Sequence, residues 1–155
     1  MNNLIFRKAT KNDLPDIVHM LLDDTLGAMR ENHDATLPES YVNAFEKIQA
    51  DPNQELTVVE LDGELVATFQ LSFIQYLTYQ GGLRAQMEAV RTKSTYRGKG
   101  IGRSVFNYAI RRATEKGCHL IQLTTDKRRP DAIRFYESLG FVASHEGMKL
   151  TLANF

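Results

Sequence analysis

Between Glu88 and Phe106 the chain reads EAVRTKSTYRGKGIGRSVF, and the chemistry of that stretch is one-sided. Five bases, Arg91, Lys93, Arg97, Lys99 and Arg103, share it with three glycines, Gly98, Gly100 and Gly102, and no acid follows Glu88. Glycines let backbone N–H groups approach an anion closely, and a helix starting there adds about half a positive charge at its N-terminus. The pattern therefore points to a bound anion. Two common phosphate loops do not fit. Walker A needs G-x-x-x-x-G-K-[ST], which this spacing fails, and the Rossmann G-x-G-x-x-G fails because Arg103 stands where the third glycine belongs.

Glu88 is the only acid between Leu65 and Arg112. Strand alternation places it on the same face as Val90 and Thr92. It reads either as a proton acceptor or as a solvent-facing glutamate paired with Arg84 or Arg91. Cys118 is alone, so it supplies neither an internal disulfide nor a zinc cluster. His19, His33, His119 and His145 show no metal-ligand spacing, and no metal is expected.

The whole chain has 155 residues, 43% of them hydrophobic, enough for a full core in one domain over 1–155. MNNLIFRKAT lacks the apolar run of a signal peptide and no stretch suits a bilayer span, so a cytoplasmic protein without a membrane partner is expected. The 19 bases and 19 acids cancel, which argues against a chain built to coat nucleic acid. The balance is nevertheless split. Residues 1–64 carry 13 acids and 5 bases, whereas residues 65–155 carry 6 acids and 14 bases. Either these are ordinary solvated faces, or the second half holds an anion while the first offers a favourable field to a cation.

The elements that must position these groups follow a mixed order. LIFRK is a short strand, and Thr10 with Asp13 resembles a capping box opening a helix that runs through DLPDIVHMLLDDTLGAM. ESYVNAFEKIQ after Pro38 gives a second helix. ELTVVEL and ELVATFQLSF flank Asp62-Gly63, a hairpin signal, and YQGG turns the chain into LRAQMEAVRT. Beyond the glycine loop, Ile101, Val105, Phe106, Ala109, Ile110 and Ala113 form a helical stripe closed by Gly117. HLIQLTT follows as a strand, DAIRFYESLG as a helix, and FVASHEGMKLTL as one or two closing strands. Tyr136, on the apolar stripe of that last helix, reads by itself as a core tyrosine.

Arg97-Gly98-Lys99-Gly100-Ile101-Gly102 matches R-x-x-G-x-G, and DAIRFYESLGF matches A-x-x-x-Y-x-x-x-G-F. Together they resemble the GNAT superfamily of N-acetyltransferases, and the element order agrees over nearly the whole chain. The resemblance implies an α/β (α+β) fold, with a mixed, mostly antiparallel central sheet of about six to seven strands and helices on both faces. It implies acetyl-CoA as acyl donor, with no metal, and direct attack by a primary amine in a ternary complex. The backbone of Arg97, Gly98, Lys99, Gly100, Ile101 and Gly102 would cradle the pyrophosphate, with Lys99, Arg103 and Arg91 or Lys93 adding charge. Val90, Arg91 and Thr92 match the strand that splays from its neighbour to receive the pantetheine arm. A backbone N–H near Val90 would polarise the thioester carbonyl. Tyr136 matches the tyrosine that protonates the departing thiolate. The family uses no single fixed base; Glu88 is the candidate here, because an amine of pKa about 10 must lose a proton before attack.

The family's cofactor-contacting asparagine is replaced by TTDKRRPDA, where Lys127, Arg128 and Arg129 either reach a 3′-phosphate or are solvated. By the same resemblance, Asp23, Asp24, Glu31, Tyr41, Tyr76 and Tyr79 wall the acceptor site and suit a cationic small-molecule or peptide amine. Asp23 and Asp24 read equally as exposed helix residues. A homodimer fits the family. Two other functions stay open: a non-catalytic acyl-CoA-binding or sensing module, and a basic nucleic-acid surface, against which the scarcity of interleaved aromatics counts.

Overall fold

The computed structural model describes residues 3–31 and 36–153, so His33 lies outside the described residues. The chain divides into two compact units, one ending at Gln122 and one starting at Leu123.

The first unit contains β1 (Leu4–Lys8), α1 (Leu14–Leu22), α2 (Glu39–Ala50), β2 (Gln54–Leu61), β3 (Glu64–Gln75), a one-turn α3 (Thr78–Gly81), β4 (Leu83–Thr92), α4 (Ile101–Glu115) and β5 (Leu120–Gln122). The strands lie in sequence order, antiparallel except for the parallel β4–β5 pair. That crossover is what α4 spans. Asp62 and Gly63, both at positive φ, close the β2–β3 hairpin as their dipeptide predicts.

Alternation on β3 sends two sets of side chains to two layers. Phe69 meets Tyr108 of α4 edge-on at 6.0 Å, and Val105, Phe106, Ala109 and Ala113 bury the same helix. On the other side of the sheet Val58 packs with Ile17, Met20 and Phe45 from α1 and α2. The mixed sheet with helices on both faces thus agrees with expectation, but it has five strands among the described residues rather than six or seven.

The difference lies in the second unit, where α5 (Pro130–Ser138) is the regular element and residues 141–153 form no ladder. Met148, Leu150 and Leu152 keep a strand-like alternation, yet alternation makes a strand only where a neighbour supplies the hydrogen bonds. β5 is also shorter than HLIQLTT, stopping where its register with β4 stops, at Gln86 opposite Gln122.

α1 ends at Leu22 rather than continuing to Met29. Asp23 has ψ +38, outside the helical range, and the Asp24 carboxylate accepts from the N–H groups of Leu26 and Gly27, both at 2.9 Å. An aspartate that offers the backbone this alternative breaks a helix that its apolar spacing would otherwise continue.

Candidate functional site

β4 carries the local irregularity that shapes the site. Its partner β3 pairs Gln70 with Glu88 and Thr68 with Arg91, so two residues of β4, Ala89 and Val90, face one of β3. Ala89 takes φ +52, the left-handed conformation of a bulged residue. The bulge reverses the side-chain parity. Glu88 therefore shares its face with Arg91, whereas Thr92, opposite Ala67, shares the face of Met87, opposite Leu71. The simple alternation that put Glu88 with Val90 and Thr92 is corrected by that one inserted residue.

Ahead of the bulge, β4 also parts from β5. Pairing between them covers only Arg84 to Gln86, so from Met87 to Thr92 the outer edge of β4 has no strand partner among the described residues. That open edge leads through a 3-10 turn at Ser94–Tyr96 directly into the glycine loop. Gly98 and Gly100 stand at φ +73 and +81, a conformation costly for any other residue, and Gly100 caps α4. The Ser104 N–H donates to the Gly100 carbonyl at 3.2 Å. The N–H groups of Ile101, Gly102 and Arg103 precede that bond, with no acid in the first turn to compete for them.

Most of the basic charge around this loop is already committed. Arg91 pairs with Asp24 at 2.9 Å, with both side chains largely buried, and its guanidinium also donates to the Val90 carbonyl. Lys93 meets Glu64 at 2.7 Å, and Tyr96 donates to the same carboxylate. Arg97 donates to the carbonyls of Asp23 at 2.7 Å and Thr92 at 3.1 Å, while the Asp23 carboxylate accepts from the Ser94 N–H. Lys99, stacked over the Tyr96 ring, and Arg103 have no carboxylate partner among the described residues. Part of the split in charge along the sequence is therefore architectural: Asp23, Asp24, Glu55 and Glu64 of the first half fasten Arg97, Arg91, Arg112 and Lys93 of the second.

These bonds shift the acids that form them. Hydrogen bonds from Ser94 hold the Asp23 carboxyl below the usual range, with the Arg97 charge adding to the effect. Lys93, then Tyr96, does the same for Glu64, and Glu64 in turn raises the Tyr96 phenol. Burial pushes the half-buried Cys118 thiol up, which keeps it protonated and unsuited to act as a nucleophile.

The expected acceptor wall is rearranged. Tyr41 donates to Glu31 at 2.7 Å, so two of its members bind each other. Tyr76 and Tyr79 flank the guanidinium of Arg84, at 4.6 and 5.2 Å, and so stack on a cation of the protein itself. Tyr79 also stacks on His119.

Glu88 is exposed and belongs to a chain of polar side chains that sequence reasoning missed. Gln86 donates to Glu88 at 3.0 Å, Gln122 donates to Gln86 at 2.8 Å, and Arg84 approaches Gln122 at 3.4 Å. Arg84, Gln86 and Glu88 alternate along LRAQME, a legible signal, but Gln122 joins them only through the parallel register.

Tyr136 lies on α5 in the second unit, half-buried between the rings of Phe135 at 5.8 Å and Phe141 at 6.2 Å. In the same unit Arg128 is held by Asp126 through two hydrogen bonds of 2.7 and 2.9 Å, and Lys127 reaches Glu146 at 3.8 Å. Among the described residues no cluster of three or more His, Cys, Asp or Glu is placed to hold a metal, and no helix is long and apolar enough to cross a membrane.

Residues 17–141 match the model of the acetyltransferase (GNAT) family. A crystal structure described as a transcriptional regulator from Bacillus halodurans C-125 superposes with a TM-score of 0.94 at 55% identity, covering 97% of this chain and 100% of that one. A probable glucosamine 6-phosphate N-acetyltransferase of Drosophila melanogaster is 29% identical over 66% of this chain, a match spanning 47% of that protein's own length. An aminoalkylphosphonate N-acetyltransferase of Salmonella typhimurium is 26% identical over 69% of each chain.

Proposed function

Because the chain belongs to the acetyltransferase (GNAT) family, we propose that it moves an acetyl group from acetyl-CoA to a primary amine by direct attack in a ternary complex. One observation carries the donor half of this reading: beyond Gln86 the outer edge of β4, which no strand pairs among the described residues, runs straight into the N-terminal turn of α4, flanked by Lys99 and Arg103. An extended amide-bearing arm pairs with such an edge, and a pyrophosphate suits the loop. Gly98, Gly100 and Gly102 keep side chains out of the cradle; Arg97 shapes it from behind, tied to Thr92 and Asp23. Arg91 acts through its backbone and through Asp24.

Glu88 takes a proton from the acceptor's ammonium group, freeing the nitrogen lone pair to attack the thioester carbon. A backbone N–H at the bulge, near Val90, donates to the carbonyl oxygen as it gains charge. As the carbon–sulfur bond breaks, the Tyr136 hydroxyl gives its proton to the sulfur, and the new amide nitrogen loses its remaining extra proton to solvent. A phenol of pKa about 10 and a thiol of about 8.5 are matched closely enough for that exchange. Residues 1–155 act as one domain in this scheme. The first acceptors to test are an amino sugar phosphate and an aminoalkylphosphonate, the amines named for the two curated relatives.

A second reading is supported by the description of the Bacillus halodurans structure as a transcriptional regulator: a module that senses acyl-CoA without turning it over. Calorimetric titration with acetyl-CoA, coenzyme A and ATP, followed by thiol release in the presence of each amine, separates the two. Binding of both coenzyme A species with thiol release supports the enzyme. Binding without release from any amine supports the sensor, and no binding removes both. Gly100→Val, which places a β-branched residue at φ +81, should abolish coenzyme binding. Tyr136→Phe should leave binding intact and cut kcat at least tenfold.

A further inference from the structure

Arg84, Gln122, Gln86 and Glu88 form one directional hydrogen-bonded chain in the first unit. A guanidinium only donates, and an ionised carboxylate only accepts. Both amides between them are thereby fixed: each turns its carbonyl toward Arg84 and its NH2 toward Glu88, as the contacts of 3.4, 2.8 and 3.0 Å show. The cationic end is itself held. Arg84 is clamped between Tyr76 and Tyr79, its Nε is buried without a hydrogen-bond partner, and no carboxylate lies within ion-pair distance of it among the described residues. A half-buried cation on the same strand face as Glu88, linked to it by two aligned amides, is an arrangement for fixing a side chain in place.

We propose that Gln86 and Gln122 are positioning residues that hold the Glu88 carboxylate at the bulge and anchor it to Arg84. This rests on the reading of Glu88 as the proton acceptor. The bond from Gln86 gives an exposed glutamate beside an open strand edge a defined partner. Gln86 occupies Oε1, which leaves Oε2 to receive the acceptor's proton. Gln122 ends β5 where β4 and β5 part, so the chain crosses the last paired rung before the gap. It therefore ties the carboxylate to the edge that the donor is proposed to occupy.

The arrangement can be tested without an acceptor. In 15N–1H spectra of the free protein, Glu88→Gln should move the side-chain amide resonances of Gln86 and, through it, of Gln122. An unmoved Gln86 resonance overturns the chain, as does a shift at Gln86 with none at Gln122. Kinetics then tests its purpose, with whichever amine gives the fastest thiol release. Gln86→Met keeps the length and loses the donor, so the fold should survive. It should lower kcat about tenfold at unchanged KM for acetyl-CoA, and have no further effect in a Glu88→Gln background. Multiplying effects would overturn the positioning role while sparing Glu88 as base. A Glu88→Gln variant of undiminished kcat would remove the base reading itself, and with it the purpose of the chain.

Discussion

The two ends of α1 use the same residue type for opposite ends of a helix. At the N-terminus Asp13 accepts from the Thr10 N–H at 2.7 Å and from both terminal nitrogens of Arg7 at 2.7 and 2.9 Å. A carboxylate there also complements the helix dipole, so local rules and tertiary contacts agree. At the C-terminus Asp23 and Asp24 place two negative charges where the dipole disfavours them. They are held by Arg91, Arg97 and Ser94, all from the strand end and loop that form the proposed coenzyme site. The lesson is that the end obeying local rules stabilises the fold, and the end breaking them fastens the site.

The largest effect should come from cutting the buried link at the C-terminal end. Asp24→Ala removes the carboxylate that faces the largely buried Arg91, and breaking a buried ion pair from one side costs about 3 kcal/mol, or about 8 °C in Tm for a chain of this size. Because Arg91 sits at the bulge, coenzyme affinity by calorimetry should fall at least tenfold as well. The double variant Asp24→Leu/Arg91→Met should regain stability without regaining affinity. If affinity returns with stability, the pair is merely structural and the contrast between the two ends disappears.

The N-terminal end predicts the complementary outcome. Asp13→Asn should cost about 1–2 kcal/mol, by loss of the Arg7 ion pair and a weaker cap, with coenzyme affinity unchanged. Hydrogen bonds from Arg7 chiefly hold the Asp13 carboxyl below its ordinary value. A carboxylate depressed in the folded state stabilises above its unfolded pKa of about 4 and loses that contribution as pH falls. Denaturant midpoints of the parent should therefore drop below about pH 4 more steeply than those of Asp13→Asn. Parallel curves would mean that Asp13 is not what acid removes.

The same contrast explains what could be read from the sequence. Thr10 and Asp13 are three residues apart, so their cap is a local signal. The glycine spacing of 98, 100 and 102, the Asp62-Gly63 hairpin and the strand order were legible for the same reason. The bulge at Ala89 was not, because alanine carries no signature of a left-handed backbone and the parity change follows from pairing with β3. Asp23 and Asp24 looked like helix surface or acceptor wall because their partners lie about seventy residues away. Gln122 was invisible as a partner of Gln86 until the parallel register put them side by side.

The smallest predicted effect sharpens the comparison inside the C-terminal end. Asp23→Asn keeps an oxygen for the Ser94 N–H, and Arg97 keeps its bonds to the carbonyls of Asp23 and Thr92, so the loop stays placed. What goes is one negative charge in front of Arg97. Its removal relieves the helix dipole and lets the Arg97 field reach an anion in the loop. Stability should then change by less than about 0.5 kcal/mol, and affinity for coenzyme A should rise about twofold at low salt, fading at high salt. That sign is opposite to the effect of Asp24→Ala, only one residue away. A loss of affinity instead would mean that the Asp23 charge is itself part of the fastening, and that burial does not divide the roles of these two neighbouring acids.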